Sequence, residues 1–410
     1  MLDNQKNSER KQKTLIFLCW MLYTFSYVGR YSYKSNIVNF GISDTAITGL
    51  VMTFFYGAYG IGQVINGVLC SKYNKKIVLP IACIISALCN FAVGLNVSFE
   101  YIKYLWLVNG ISLSFLYSSI VLVLSENLEE KFLKTATLIL STTVPIGTFL
   151  VYGISAIFSI FTSYHATFWF AGVGMLVVAV IWFTCYQKNL SSVKITVKKE
   201  VDDNGKTHNA KIATATLITV IVIALFAVVC NLIKDGVQTW TPSILKAEFG
   251  LDDTLSTALT LVLPVIGVFG SVLALQIQKK VGNYIAVLGI FFMLSGGALT
   301  GVMLMLTKSW IPALVFLALA TLLAQAINNT ITSIVPLQLR KEINSGLLAG
   351  ILNGCCYVGS TISGYGLGAL VEGNGGNWNV TFWLLIALCI ATVIISAVFL
   401  LVSFIRKKHS

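Results

Sequence analysis

Long apolar stretches separated by short polar turns recur twelve times along this chain. They fall at roughly 14–38, 46–69, 77–95, 104–126, 134–160, 165–187, 212–241, 254–278, 283–306, 309–333, 345–370 and 379–405. At ~1.5 Å of rise per residue, each can cross a hydrocarbon layer ~30 Å thick as a helix. A segment in lipid must satisfy its backbone polar groups internally, which leaves helices as the solution for runs of this length. The pattern predicts an all-α polytopic membrane protein with twelve transmembrane helices. The sizeable polar stretch in the interior, Gln187–Lys211, separates six spans from six. The expected organisation is an N-terminal six-helix half (1–187), a cytoplasmic linker (188–211) and a C-terminal six-helix half (212–410), packed as two pseudo-symmetric bundles.

Composition agrees. Of 410 residues, 56% are hydrophobic and only 11% charged, with mean hydropathy +0.83. No stretch is long and polar enough for a soluble catalytic domain, so no enzymatic activity is expected. The first apolar run is too long, and too soon followed by others, to read as a cleavable signal peptide. A net charge of +12 would suggest nucleic acid if it were clustered on a soluble face. Instead, 22 of the 28 Lys and Arg residues fall on the segments that share a side with the N-terminus, three in the alternate loops and three within spans. That asymmetry predicts a plasma (inner) membrane protein with both termini cytoplasmic, with lipid rather than nucleic acid as the partner of its basic segments. The nine cysteines show no metal-ligand spacing with histidine, and His165, His208 and His409 lie outside span centres. No metal or cofactor is expected, and the cysteines read as small packing residues.

Charge inside the spans changes the picture most. Arg30 lies within the first apolar run, Lys34 one turn beyond it, and Lys234 within the seventh, beside Asp235. A cation at the centre of a membrane helix costs about 2.5–3.5 kcal/mol on insertion scales. Two cations at matching places in two halves point to a watery cavity that binds an anion. Lys34 admits two readings, a second cavity cation or a residue snorkelling to the interface. Tyr23, Tyr27 and Tyr33 lie on or near the Arg30 face, as hydroxyl donors to an anion or as an interfacial belt. Asp235 has three readings: a partner for Arg30 or Lys34 across the halves, a proton-coupling carboxylate, or a buttress for a helix break near Gly236. Gln238 lies one turn from Lys234. Tyr59 and Gln63 lie one turn apart on the second span. With Asn353 and Tyr357 on the eleventh, they complete the candidate lining; Asn109, Gln325, Asn328 and Asn329 are weaker candidates. For each polar residue taken singly, an ordinary interhelical hydrogen bond is an equally good account.

Several segments carry a resemblance. GVLCSKYNKK (Gly67–Lys76) resembles the loop motif of the major facilitator superfamily. Gly67, Leu69, Lys72, Lys75 and Lys76 match it, while Ser71 stands where the motif has an acid. By the residue types, Gly67 should permit close helix approach, and Lys72, Lys75 and Lys76 should hold the loop at the inner surface. YVGRYSYKSN (Tyr27–Asn36), LIKDGVQTWTPSIL (Leu232–Leu245) and the small-residue run Gly346–Gly368 are similar to the organophosphate:phosphate antiporter branch. The resemblance implies that cations of the first and seventh helices clamp a phosphoryl group, with Arg30 in the first place and Lys234 where the branch carries arginine. It also implies alternating access by a monomer, with phosphate or a proton as coupling ion. The expected function is secondary transport of a small organic anion: a sugar phosphate, polyol phosphate or sugar acid. The alternatives are a transporter-like membrane sensor of a phosphorylated sugar and a proton-coupled symporter of a carboxylate. A cation–proton antiporter expects an acidic cavity and fits poorly.

Overall fold

The computed structural model describes residues 2–187, 214–339, 342–343 and 345–409. The expected cytoplasmic linker 188–211, with His208 and six of the basic residues, lies outside them, as do Arg340 and Lys341. The described chain is all-helical: α1 (Leu2–Tyr31), a short 3₁₀ turn (Lys34–Asn36), α2 (Thr45–Leu69), α3 (Lys75–Gly94), α4 (Phe99–Asn127), α5 (Glu130–Ser141), α6 (Thr143–Phe161) and α7 (His165–Cys185) form the first half. The second holds α8 (Thr214–Phe249), α9 (Asp253–Thr260), α10 (Val262–Val281), α11 (Tyr284–Met305), α12 (Trp310–Asn329), a π turn (Thr330–Ile334), α13 (Val335–Gln338), α14 (Ser345–Glu372) and α15 (Asn379–His409). Among the described residues, eleven stretches are long and apolar enough to cross a membrane, and α1, with its charged first turns, supplies the twelfth span.

Short polar residues start these helices in a pattern the two halves share. The Asp44 side chain accepts from the Ile47 amide at the start of α2, and Asp252 from the Leu255 amide at α9. Asn74 caps α3 and Asn283 caps α11 in the same manner. Each fills one of the amides that a helix start leaves unbonded.

Prolines set the interruptions. The fifth and eighth spans are not single helices as the apolar runs predict; they break at Thr142 and Leu261. Pro145 and Pro264 each stand third in the helix that follows, where the missing N–H and ring interrupt the ladder to the preceding turn. Pro336 accompanies the π turn of the tenth span, which runs on to Gln338 rather than ending near 333. The seventh span departs the other way. Pro242 lies inside α8, which continues to Phe249 instead of stopping at Thr241, and the helix shows no break at Gly236. The first span ends early: α1 stops at Tyr31, and the 3₁₀ turn follows.

The halves meet asymmetrically. At the end remote from both chain termini, Thr45 Oγ1 donates to the Gly368 carbonyl (2.8 Å), and the Thr45 amide donates to the Glu372 carboxylate (3.2 Å). Further along, Thr53 Oγ1 donates to the Thr361 carbonyl at 2.7 Å. Gly49 and Gly364 face each other backbone to backbone, so that a Cβ on Gly364 would lie 2.8 Å from the Thr53 nitrogen. α6 packs against α9 and α10 on the other flank. Toward the termini the contact loosens: a Cβ on Gly67 or Gly350 would meet no atom within 4 Å. Among the described residues, the halves approach most closely at the remote end, and toward the termini α2 and α14 draw apart at Gly67 and Gly350.

Candidate functional site

The site is built around the premature end of α1. Its last carbonyls have no following helical turn to bond them. The Gly29 carbonyl is instead taken by Asn90 Nδ2 of α3 (3.0 Å) and Asn109 Nδ2 of α4 (3.1 Å). Ser32 Oγ donates to Asn90 Oδ1 at 2.6 Å. Gly29 itself is pressed close: a Cβ there would lie 2.9 Å from Ser86 Oγ and 3.3 Å from Met175. The adjoining residue, Arg30, is thereby fixed in direction. Asn109 thus serves the backbone rather than lining the cavity.

Arg30 is 3% exposed and points between the halves. Its guanidinium carbon lies 4.3 Å from the Tyr59 ring centre, 4.9 Å from Tyr27, 5.0 Å from Phe55 and 5.3 Å from Tyr31. Aromatic faces attract cations by their quadrupoles. They hold the charge without neutralising it, and Nε of Arg30 is buried with no hydrogen-bond partner. The cage continues across the interface. Tyr59 packs on Tyr357 of α14 with ring centres 5.0 Å apart. Gln63 donates to the Tyr59 hydroxyl (2.7 Å) and accepts from Asn353 (3.2 Å). Tyr23 joins by its hydroxyl, 3.4 Å from that of Tyr27.

Lys34 is not a snorkelling residue. It is 1% exposed, and its Nζ makes no hydrogen bond, with the Tyr31 ring 4.8 Å away. Ending α1 at Tyr31 allows the 3₁₀ turn to carry the lysine back inward. Tyr33 belongs neither to a belt nor to the site: it is fully buried among Phe40, Phe99 and Trp106, and its hydroxyl donates to the Thr48 carbonyl at 2.9 Å.

On α8, Lys234 is half-buried and Asp235 is 5% exposed. Among the described residues, Asp235 makes no ion pair with Arg30 or Lys34. It accepts a hydrogen bond from Ser360 of α14. Ser360 in turn accepts from Asn231 Nδ2 (3.2 Å), and Asn231 Oδ1 accepts from Asn328 of α12 (2.8 Å). The expected buttressing of a break at Gly236 is incorrect, because α8 runs through it unbroken. Asp235 still acts electrostatically on Lys34, Tyr31 and Tyr56 without touching them, and Lys234 acts on Lys34 in the same way. Gln238 takes part through its backbone. Pro242 removes the N–H that would bond the Gln238 carbonyl, and the Tyr152 hydroxyl of α6 approaches that oxygen from the other half at 3.5 Å. Three basic side chains therefore converge between the halves with one carboxylate, and that carboxylate is engaged by a serine.

Sequence reasoning missed Tyr31, Phe55, Ser360 and Asn231. Asn231 had a signal, since it stands one turn before Asp235 on the same helical face. Ser360 had none, being 125 positions from its partner in the chain.

The loop residues Gly67, Lys72, Lys75 and Lys76 lie apart from this centre. Gly67 faces open space, so the expected close approach is absent here. Lys72 is exposed, Lys75 accepts at its carbonyl from Trp182 Nε1 (3.0 Å), and Lys76 Nζ donates to Gln187 (2.6 Å). These contacts tie the loop to α7 within one half. On the same side, Lys131 pairs with Glu9 (2.8 Å) and Glu129 (3.2 Å), and its hydrogen bond and charge hold the Glu9 carboxyl below its ordinary range.

Comparison with known proteins agrees with the architecture. The profile described as Major Facilitator Superfamily matches residues 16–364. The membrane sensor protein UhpC of Escherichia coli (strain K12) is 24% identical over 102 residues, 24% of this chain and 23% of that protein. The protein of the same name from Salmonella typhimurium (strain LT2) matches to the same extent. The aligned part thus spans about a quarter of these relatives' length. In three dimensions, a bacterial homologue of the human lysosomal transporter Spinster, in an inward-facing and occupied conformation, superposes with TM-score 0.74 at 13% identity, covering 94% of this chain and 95% of that one. A D-xylose–proton symporter superposes with TM-score 0.72 at 12% identity, covering 95% and 96%.

Proposed function

The chain belongs to the major facilitator superfamily of membrane transporters, and from that premise we propose that it moves a small organic anion by alternating access. The observation that carries this reading is Arg30, buried in an aromatic cage between the halves, beside Lys34 and Lys234, with no carboxylate in contact among the described residues. An anion with several oxygens supplies the acceptors these donors lack, and Tyr27, Tyr59 and Tyr357 offer rings and hydroxyls to the rest of the molecule. The favoured cargo is a sugar or polyol phosphate, or a sugar acid. The segments similar to the organophosphate:phosphate antiporter branch support this, as does the partial match to UhpC. Coupling is by exchange for phosphate or by protons. Uptake into proteoliposomes of radiolabelled glucose 6-phosphate, glycerol 3-phosphate, glucuronate and inorganic phosphate tests the proposal; failure to accumulate any of them, with Arg30 intact, refutes it.

Lys234 discriminates among the anions. In a phosphoryl site, Lys234→Arg should keep or improve binding, since two guanidinium forks grip tetrahedral oxygens. In a carboxylate site, the bulkier group should impair it. Lys234→Gln should be severely defective in both, and wild-type affinity in that variant, measured by substrate-induced thermal stabilisation, would remove Lys234 from the site.

The lysine asymmetry supports cytoplasmic termini in the plasma membrane, with halves 1–187 and 212–410 joined by 188–211. The end where the halves approach most closely is then external, and the arrangement inward-open. In sealed cells, cysteines introduced at 96–98 or 250–252 should react with an impermeant maleimide from outside, and those at 188–211 should not. The reverse pattern would invert the topology.

A second reading rests on the name of the relatives. UhpC is a membrane sensor protein, and a sensor would use the same anion site to bias the two states without flux. Saturable anion binding without proteoliposome uptake would favour it.

A further inference from the structure

Among the described residues, Lys34 is the basic side chain most completely buried, and its Nζ has no hydrogen-bond partner. It is 1% exposed, and among the described residues no carboxylate is in contact with it. Two further cations share its surroundings. The titratable groups that act on it are Arg30 and Tyr31 on α1 and Lys234 and Asp235 on α8; Tyr56 of α2 and Tyr152 of α6 stand behind Tyr31. Asp235 is the carboxylate within electrostatic reach, and it is bonded to Ser360 and adjoins Lys234.

A group withdrawn from water with no partner lowers its cost by becoming neutral. The three cations are not equal in this respect. A guanidinium keeps its proton in proteins, so Arg30 stays charged. Lys234 is half-buried and sits beside a carboxylate in sequence. Lys34 has neither relief. An ammonium on a flexible stem changes protonation readily when buried, which is how lysines serve in proton transfer elsewhere.

We propose that Lys34 carries the coupling proton of this transporter: a neutral amine while the site is empty, an ammonium while an anion is held. The inference rests on the anion reading of the Arg30–Lys234 site and adds the identity of its coupling group. When the anion docks, its negative charge stabilises a charged Lys34. The amine lone pair takes one proton from a hydronium ion of the water in the open end: an N–H bond forms, one O–H bond breaks, and a neutral water is left. When the anion leaves on the opposite side, the three cations again face one carboxylate, and the proton passes to water there. One proton thus travels with one anion, in the same direction, with no carboxylate as carrier.

The test is isothermal titration of the purified full-length protein in detergent with glucuronate, glucose 6-phosphate, glycerol 3-phosphate and inorganic phosphate. It runs between about pH 7.5 and 9, where the carboxylate of glucuronate and the phosphate esters are already essentially ionised; inorganic phosphate, whose second proton still titrates there, is read for binding alone. Two buffers of different ionisation enthalpy report protons taken up. Wild type should take up about one proton per anion, and its Kd should rise about tenfold per pH unit across the titrating range. Lys34→Arg, permanently charged, should bind without proton uptake and with a flat pH profile. Lys34→Met should bind more weakly, also with a flat profile, and thermal unfolding establishes that both variants fold. Anion binding by wild type with no proton uptake overturns the proposal. So does proton uptake in Lys34→Arg equal to wild type, or its loss in Asp235→Asn alone. Failure of the folded wild type to bind any of the four probes overturns the anion reading, and this proposal with it.

Discussion

Arg30→Ala should weaken anion binding by a factor of roughly 30 to several thousand while the protein still inserts and folds. Truncating one partner of a buried, hydrogen-bonded charge pair typically costs about 2–5 kcal/mol. At ~1.4 kcal/mol per tenfold, that is a loss of roughly 30-fold to several thousand-fold in affinity. Folding should be affected far less. The guanidinium is held by four rings and no hydrogen bond to Nε, so its removal deletes an uncompensated charge rather than a structural contact. The helix end beside it is anchored independently, through the Gly29 carbonyl and the asparagines at 90 and 109. Substrate-induced thermal stabilisation separates the two effects. The apo melting temperature should stay near or above wild type, and the ligand-induced rise should fall with the lost affinity. Arg30→Lys should retain partial binding if the anion needs charge alone, and little if it needs the planar fork. Near wild-type transport by Arg30→Ala would remove the central claim.

The twelve-span architecture was legible because each span must be apolar throughout, and lipid imposes that on the sequence without reference to any partner. The interruptions were not, because the apolar runs continue through them. Pro145, Pro264 and Pro336 do mark breaks, but Pro242 does not. A proline in a membrane helix is tolerated where a neighbour satisfies the freed carbonyl, and the Tyr152 hydroxyl that reaches Gln238 comes from the other half. Arg30, Lys34, Lys234 and Asp235 were legible as a set because charge inside hydrocarbon stands out against its neighbours. Their arrangement was not. Whether Lys34 turns outward or inward depends on α1 stopping at Tyr31, which in turn depends on Asn90 and Asn109 taking the Gly29 carbonyl. Nothing in the local sequence around residue 30 announces those partners. Gly67 illustrates a different limit. Its sequence neighbourhood suggested a tight contact, yet nothing approaches it, because a glycine permits a close approach without requiring one.

Glycines at the remote end should be far less tolerant. Gly364→Ala should prevent that end from closing and abolish transport. The Cβ would lie 2.7 Å from Thr53 Oγ1 and 2.8 Å from the Thr53 nitrogen, with the Gly49 carbonyl closer still. Side-chain rotation cannot clear a backbone atom, so α2 and α14 must separate. Overpacking of this kind costs typically about 1–3 kcal/mol. In a two-state equilibrium that shifts populations by roughly 5–150-fold, enough to favour the arrangement open at the remote end. The hydrogen bonds from Thr45 to Gly368 and Glu372 would be lost with it. Spin labels at Ser43 and Asn374, both exposed at that end, should report a longer separation in the variant. Gly57→Ala, on α2 in the same α2–α14 contact, is the control: its Cβ would meet the Thr361 methyl at 3.6 Å, an ordinary contact, and should leave the separation and the transport rate unchanged. An unaltered label distance with full transport in Gly364→Ala would show that this contact does not govern closure. Equal damage from both variants would show that helix packing in general, rather than this backbone approach, is what transport requires.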